Sequence, residues 1–422
     1  MYLNFRTYCN MKLCCIILAF NIDSKIQKGG HRMLIHETTK IKMNYPLMSF
    51  ILTWSGLVIL MSMFVTVPLT SVFMHDLHIS ETDAAWIGSI YSFCFAIGCL
   101  IYGPLSDKYG RKIFLMASTL VLAAVTFITG FVHDFELLLA MRALQGFASA
   151  AFAPVSLVYA SDMFPPHKRL TVTGYIISGF LMAGIIAQVF GIMISTRFGW
   201  SAIFIIMGIV YFITALLVIF YLPKDSATDK ENSILSKYIQ MKDIFKNLKL
   251  CISFYIMFTV YFSLIGMYTF LGDYLHPYGF TEKDVLPIRA LAIISMLTSV
   301  FAGKISSKFG VQRSLRSALA LASFSLLFMG LATSANLIIL GSLLFVAGIA
   351  YVVPINVSLV VKNSGLARGS AVLFNAFMLF LGASIGPILA TSLAQGGNYL
   401  LAFGVLSGFL LIGLIASFFL KD

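Results

Sequence analysis

The sequence predicts an all-α polytopic membrane protein with twelve transmembrane helices in two pseudo-symmetric bundles of six. Three observations carry that prediction. Of 422 residues, 59% are hydrophobic and only 11% are charged. Soluble domains carry about 25% charge, so a chain this poor in charge needs lipid as the solvent for most of its surface. Twelve apolar runs can be marked, each near the ~20 residues that cross a bilayer as a helix. Finally, the loop Gly103-Pro104-Leu105-Ser106-Asp107-Lys108-Tyr109-Gly110-Arg111-Lys112 returns in altered form as Gly303-Lys304-Ile305-Ser306-Ser307-Lys308-Phe309-Gly310. The chain therefore reads as two related halves.

The spans of the first half are expected over 47–74, 84–105, 112–131, 137–160, 170–192 and 200–222. Those of the second are expected over 250–275, 286–303, 315–334, 337–361, 368–390 and 399–420. The repeat extends beyond the loops. Pro154-Val155-Ser156-Leu157-Val158 in span four matches Pro354-Ile355-Asn356-Val357-Ser358 in span ten, at the offset that relates Gly110 to Gly310. Duplication of a six-span unit is expected of carriers that rock two similar halves about a central site. Four regions follow: an extension over 1–46, disordered or upstream of the true start; a bundle over 47–222; a linker over 223–249, rich in Lys, Asp, Ser and Asn; and a bundle over 250–422.

Basic residues set the orientation. With the amino terminus inside, the cytoplasmic connections hold Lys108, Arg111, Lys112, Lys168, Arg169, Lys304, Lys308, Arg313, Arg316, Lys362 and Arg368, besides the lysines of the linker. The opposite face has Arg197, Lys283 and Arg289. That bias places both termini in the cytoplasm.

The same distribution speaks against nucleic acid as a partner, despite a net charge of +12. The charges sit in short connections and form no aromatic-basic platform. The six cysteines show no zinc-like spacing, so neither a metal nor a disulfide is implied. The histidines lie in the extension or in loops, where His75-Asp76-Leu77-His78 is the nearest approach to a cluster. A membrane enzyme would need a fuller reactive set than this. No phosphate-binding Walker loop occurs, which disfavours an ATP-driven pump. No cofactor is called for.

Local chemistry singles out the loop after span two. Gly103 allows close approach to a neighbouring helix, and Gly110 suits the positive φ of a tight turn. Asp107 is expected near a helix beginning, facing unpaired N–H groups. Lys108, Arg111 and Lys112 can meet anionic lipid or acidic side chains. Topogenic charge and a turn are the plainer account of the same residues.

The motif Gly103-x-x-x-Asp107-Lys108-x-Gly110-Arg111-Lys112 resembles the signature between spans two and three of the major facilitator superfamily. Arg142-Ala143-Leu144-Gln145-Gly146 resembles the Arg-x-x-Gln-Gly element of its twelve-span drug:proton antiporter branch. Asp162-Met163-Phe164-Pro165-Pro166, followed by Arg169, resembles that branch's loop after span four. The resemblance covers about residues 47–420. It implies a secondary transporter of the cell membrane, of a bacterial inner-membrane kind, working by alternating access. The implied activity is proton-coupled efflux of small organic compounds or drugs. Uptake, exchange or facilitated diffusion of a metabolite, such as an organic anion or sugar, is the alternative. The expected partners are the solute, protons as coupling ion and membrane lipid, with one chain forming the transport unit. The implied latch comprises Gly103, Asp107, Lys108, Gly110, Arg111 and Lys112. Asp162 and Arg169 either join it or cap and anchor their own loop.

Arg142 stands within span four, where a charge is costly and faces a bundle interior or an aqueous cavity. It is expected to tune a proton site or to hold an anionic part of the solute, unless it snorkels to the interface. Gln145 lies on nearly the same face. Asn356, Asn375, Gln188 and Tyr159 are open to solute contact or interhelical hydrogen bonding. Span one, from Phe50 to Phe73, contains no acid. The Gly-Pro pair expected in span five stands instead at Gly386-Pro387 in span eleven. With no acid deep in any span, Asp273 is the first candidate for coupling and Asp76 the second.

Overall fold

The computed structural model describes residues 44–225, 244–296, 298–365, 368–394 and 397–420. The expected extension up to residue 43, most of the expected linker and the side chain of Asp107 lie outside the described residues.

The first six spans are helices. α1 runs Tyr45–Phe64 and, after a 3-10 turn at Val67–Leu69, continues as Thr70–Leu77. α2 is Glu81–Tyr109, α3 is Arg111–Thr129, and α4 is Phe135–Ser149 with Phe152–Met163. α5 is Pro166–Phe198 and α6 is Trp200–Tyr221. The second six are α7 (Leu248–Leu275), α8 (Glu282–Met296 and Thr298–Phe309), α9 (Val311–Leu331), α10 (Ala335–Asn363), α11 (Arg368–Ala394) and α12 (Tyr399–Ser417). Among the described residues, eleven are continuous and apolar enough to cross a membrane by length and composition. The α8 pieces occupy the remaining position, either side of residue 297.

Side-chain caps start several helices where the apolar runs begin. Ser80 Oγ accepts from the Asp83 N–H at α2, Asp134 Oδ1 from the Leu137 N–H at α4, and Asn398 Oδ1 from the Leu401 N–H at α12. Each satisfies one of the donors a helix start leaves open. Several helices outrun the apolar segments predicted for them, because polar caps and final turns extend past the hydrocarbon. Pro154 has no N–H to give to the Ala150 carbonyl, and α4 is interrupted there at residues 150–151. The Cys99 thiol approaches that carbonyl at 3.8 Å. α10 carries Pro354, and α11 Pro387, without interruption.

Helix neighbours repeat between the halves. α1 packs on α5 as α7 does on α11; α3 packs on α6 as α9 does on α12; α2 packs on α4 as α8 does on α10. Small residues permit the closest of these approaches. A Cβ at Gly382 or Gly386 of α11 would stand 2.1 or 2.3 Å from the Phe258 or Phe262 carbonyl of α7. Between the halves, α2 lies along α11 and α5 meets α8. The result is the twelve-helix, two-bundle arrangement that the repeat predicted.

The repeated loop is preserved in its backbone. Gly110 has φ 99° and Gly310 has φ 91°, a region that L side chains rarely adopt. Their N–H groups donate to Ser106 and Ser306 carbonyls, each at 3.0 Å. One expectation changes: Asp107 falls in the last turn of α2, not at a helix beginning. α2 continues past the apolar run up to Gly110, and α3 begins only at Arg111.

Candidate substrate cleft

At the loop end, Arg111 forms an ion pair with Asp162 at the end of α4. The cap expected of Asp107 is supplied by Asp225, just after α6. Its carboxylate accepts from the backbone N–H groups of Arg111 and Lys112 at 2.6 and 2.9 Å. Lys112 Nζ donates to the Ile219 carbonyl at 2.9 Å, and the Tyr159 hydroxyl to the Pro223 carbonyl at 2.7 Å. Thus α3, α4 and α6 are tied together where the linker leaves the bundle. The signal in the sequence was an acid two residues beyond Pro223, where α6 cannot continue. Lys108 lies over its neighbour Tyr109 at 5.6 Å, and Arg169 Nε donates back to the Phe164 carbonyl. Gly103 meets the other half: a Cβ there would stand 2.4 Å from Leu373 of α11.

Arg142 is fully buried inside the first bundle. It donates to the Ile87 carbonyl at 3.2 Å, the Ser62 carbonyl at 2.9 Å and Gln145 Oε1 at 2.6 Å. Its guanidinium lies 4.3 Å from the Tyr91 ring centroid, a cation–π contact. Gln145 donates onward to the Thr129 hydroxyl at 2.7 Å. The group therefore joins α1, α2, α3 and α4, and the snorkelling alternative does not describe it. The backbone allows this only because position 146 is glycine: a Cβ there would stand 2.1 Å from the Tyr91 carbonyl.

Asn356 and Asn375 come together in the second bundle. Asn356 Nδ2 donates to the Ser253 carbonyl at 2.9 Å and approaches Asn375 Oδ1 at 3.4 Å. This is a clamp among α7, α10 and α11.

Asp273 lies elsewhere. A cleft of about 470 Å³ opens at the end of the molecule away from the Gly110 loop. Thr70, Met74 and Glu81 wall it from the first half, and Thr269, Asp273 and Arg289 from the second. Arg142, Gln145, Asn356 and Asn375 do not line it. Glu81 and Asp273 line it from opposite halves, and Arg289 lines it on the side of Asp273. Towards the loop end, Phe64 and Tyr261 stand 6.3 Å apart, and Phe95 and Phe380 4.3 Å apart, by ring centroids. That aromatic layer, drawn from α1, α2, α7 and α11, joins the two halves beneath the cleft.

Arg289 is the residue that sequence reading passed over, counted there only as a topogenic charge. It is 2% exposed. Its guanidinium donates to Gln188 Oε1 of α5 at 2.8 Å and to the Tyr268 carbonyl of α7 at 3.2 Å. The first of these bonds crosses between the halves. The available signal was a basic residue inside the expected span 286–303; the helix begins earlier, at Glu282, which sets it seven positions in.

The family model described as Major Facilitator Superfamily matches residues 52–367. The chain belongs to that superfamily. A major facilitator protein is a transporter and not an enzyme. Among the described residues, no three His, Cys, Asp or Glu side chains are grouped to hold a metal ion. An uncharacterized transporter of Buchnera aphidicola (subsp. Schizaphis graminum) is 25% identical over 323 residues, 74% of this chain and 76% of its own. The multi-drug resistance efflux pump PmrA of Streptococcus pneumoniae is 25% identical over 354 residues, 80% of this chain and 87% of its own. In fold, the chain resembles the human organic anion transporter MFSD10 (TETRAN), with a TM-score of 0.66 at 17% identity, covering 88% of this chain and 99% of that one. This major facilitator protein is thus a multi-pass membrane protein that carries small organic solutes by secondary transport.

Proposed function

We propose that the protein moves a small organic metabolite, such as an organic anion or sugar, by uptake, exchange or facilitated diffusion. The observation that carries this reading is the cleft of about 470 Å³ walled by both halves and closed below by aromatic contacts between them. Rocking one half on the other would open the loop end and close the cleft. With the basic loops and both termini in the cytoplasm, the cleft faces outward. A single chain forms the whole path. Gly103, Asp107, Lys108, Gly110, Arg111, Lys112, Asp162 and Arg169 act as the cytoplasmic latch, a role supported by the Arg111–Asp162 pair and the close approach of Gly103 to Leu373.

Proton-driven export of drugs is the second reading, favoured by the similarity to the pneumococcal multi-drug efflux pump. On that reading, Asp273 carries the coupling proton. One experiment separates the two. Purified protein is reconstituted into liposomes loaded with a pH-sensitive dye, and radiolabelled anionic, neutral and cationic solutes are offered with and without a proton gradient. Counterflow that needs no gradient and moves no protons supports the metabolite reading. Solute-triggered proton movement, lost in Asp273→Asn, would overturn it in favour of antiport.

A further inference from the structure

The cleft carries charge of both signs, arranged by depth. Asp273 is solvent-exposed and Glu81 half-buried, so carboxylates line the mouth. Arg289 is buried and hydrogen-bonds the carbonyl of Tyr268, five residues before Asp273 on α7. Five helical residues rise about 7.5 Å, so the carbonyl that holds Arg289 lies more than one turn of α7 below Asp273. His75, exposed on the α1 side, is the other titratable group on the wall. A purely anionic solute would pass two carboxylates to reach one guanidinium. A purely cationic one would leave the guanidinium facing it. A solute with both charges satisfies the whole wall.

The bond between Arg289 and Gln188 adds a second feature. The Gln188 amide oxygen is a neutral acceptor, and a carboxylate offers the guanidinium a bidentate, charge-assisted partner instead. A bound carboxylate would therefore take the place of Gln188. Because Gln188 belongs to α5 and Arg289 to α8, this exchange would break a hydrogen bond that holds the halves together.

We propose that the cargo is a small zwitterion, bound with its carboxylate on Arg289 in place of Gln188 and its protonated nitrogen towards Glu81 and Asp273. The proposal rests on the transport reading above for its consequence, but not for its binding geometry. Cargo recognition and release of the α5–α8 contact are then one event. The free energy of the ion pair acts on the equilibrium between the two access states.

The test uses the full chain in nanodiscs and matched probes: γ-aminobutyrate and ε-aminocaproate, the monocarboxylates butyrate and caproate, and the amines butylamine and hexylamine. Binding is read by calorimetry. The expected result is that at least one zwitterion binds more tightly than its carboxylate and its amine counterparts. In Arg289→Gln that zwitterion should bind about thirtyfold more weakly, as expected for loss of a buried charged partner. Arg289→Lys should fall between, and Gln188→Leu, which removes the competitor, should bind a few-fold more tightly. Retention of the thermal transition by each variant establishes folding. Equal binding of a zwitterion and its monocarboxylate, preference for an amine, no binding by any probe, or unchanged binding in Arg289→Gln would each overturn the proposal. A separate readout addresses transport. Spin labels at Tyr109→Cys and Phe309→Cys, with the native cysteines replaced by serine, report the separation of the α2 and α8 ends. Zwitterion binding that leaves this distance unchanged would sink the transport reading while leaving the site intact.

Discussion

Arg142 and Arg289 are two buried arginines, each bonded to a glutamine, and they do different work. The glutamine of Arg142 is on its own helix, and every acceptor it meets belongs to the first bundle. The glutamine of Arg289 is on the opposite half, and the arginine lines an open cleft. Rocking the halves would leave the surroundings of Arg142 unchanged and would rebuild those of Arg289. A charge buried within one rigid body is a fastener, whereas the same charge between two bodies reports their relative position. What separates them is which helices hold the acceptors, and not burial.

The largest expected effect comes from removing the fastener. Arg142→Ala leaves a void beside Tyr91 and strands the Gln145 amide oxygen in a setting without water. Cavity and unsatisfied-acceptor costs together predict a loss of about 3 kcal/mol, measured as reduced thermal stability in detergent. Gly146→Ala should weaken the same region, because the new methyl would meet the Tyr91 carbonyl. A variant at Arg142 that melts normally yet loses cargo binding would break the comparison.

Arg289→Ala should show the reverse pattern. Water from the cleft can fill the space and reach Gln188, so the expected stability loss is about 1 kcal/mol. Cargo affinity should fall by tenfold or more, about 1.4 kcal/mol. Thermal melting and calorimetry on the same preparation test the split. A stability loss equal to that of Arg142→Ala would show that Arg289 is a fastener too.

The contrast also marks what the sequence could reveal. Twelve spans, two related halves and the glycine turns at 110 and 310 were legible because they depend on local composition and a repeat at fixed offset. Arg142 was visible as a costly charge, but its acceptors on α1 and α2 were not, so the expectation ran to a cavity or a snorkelling role and not to a structural one. Arg289 falls three residues into the expected span 286–303 and was counted with the outer charges; the start of α8 at Glu282 puts it seven positions inside the helix. Asp225 was hidden for another reason. It acts on backbone N–H groups of α3, more than a hundred residues away, and backbone donors have no signature in side-chain patterning.

Asp225→Asn applies the same distinction at the loop end, with a smaller effect. Its carboxylate holds two N–H groups at the start of α3, where negative charge is favourable. Asparagine keeps one acceptor and loses the charge, so about 1 kcal/mol of stability should go. All partners lie in the first half, so cargo affinity should not change. Altered affinity with unchanged melting would place this tie among the parts that move.

The smallest effect is expected at Asn356, and it tests whether the second bundle follows the rule. Asn356 is fully buried, and its Nδ2 ties α10 to the Ser253 carbonyl of α7. No donor among the described residues reaches its Oδ1. Asn356→Ala therefore gives up the bond to the Ser253 carbonyl and the longer one to Asn375 Oδ1, and relieves one unsatisfied acceptor. Interhelical bonds of this kind average about 0.6 kcal/mol in membranes, so the net change should be near 0.5 kcal/mol. That is small beside Arg142 although both side chains are equally buried. Since α7, α10 and α11 belong to one half, cargo affinity should hold within about twofold. A larger loss of affinity would mean that the polar clamp of the second bundle is felt in the cleft. Polar ties within a half would then help shape the site, and the line drawn between the two arginines would apply to the first half alone.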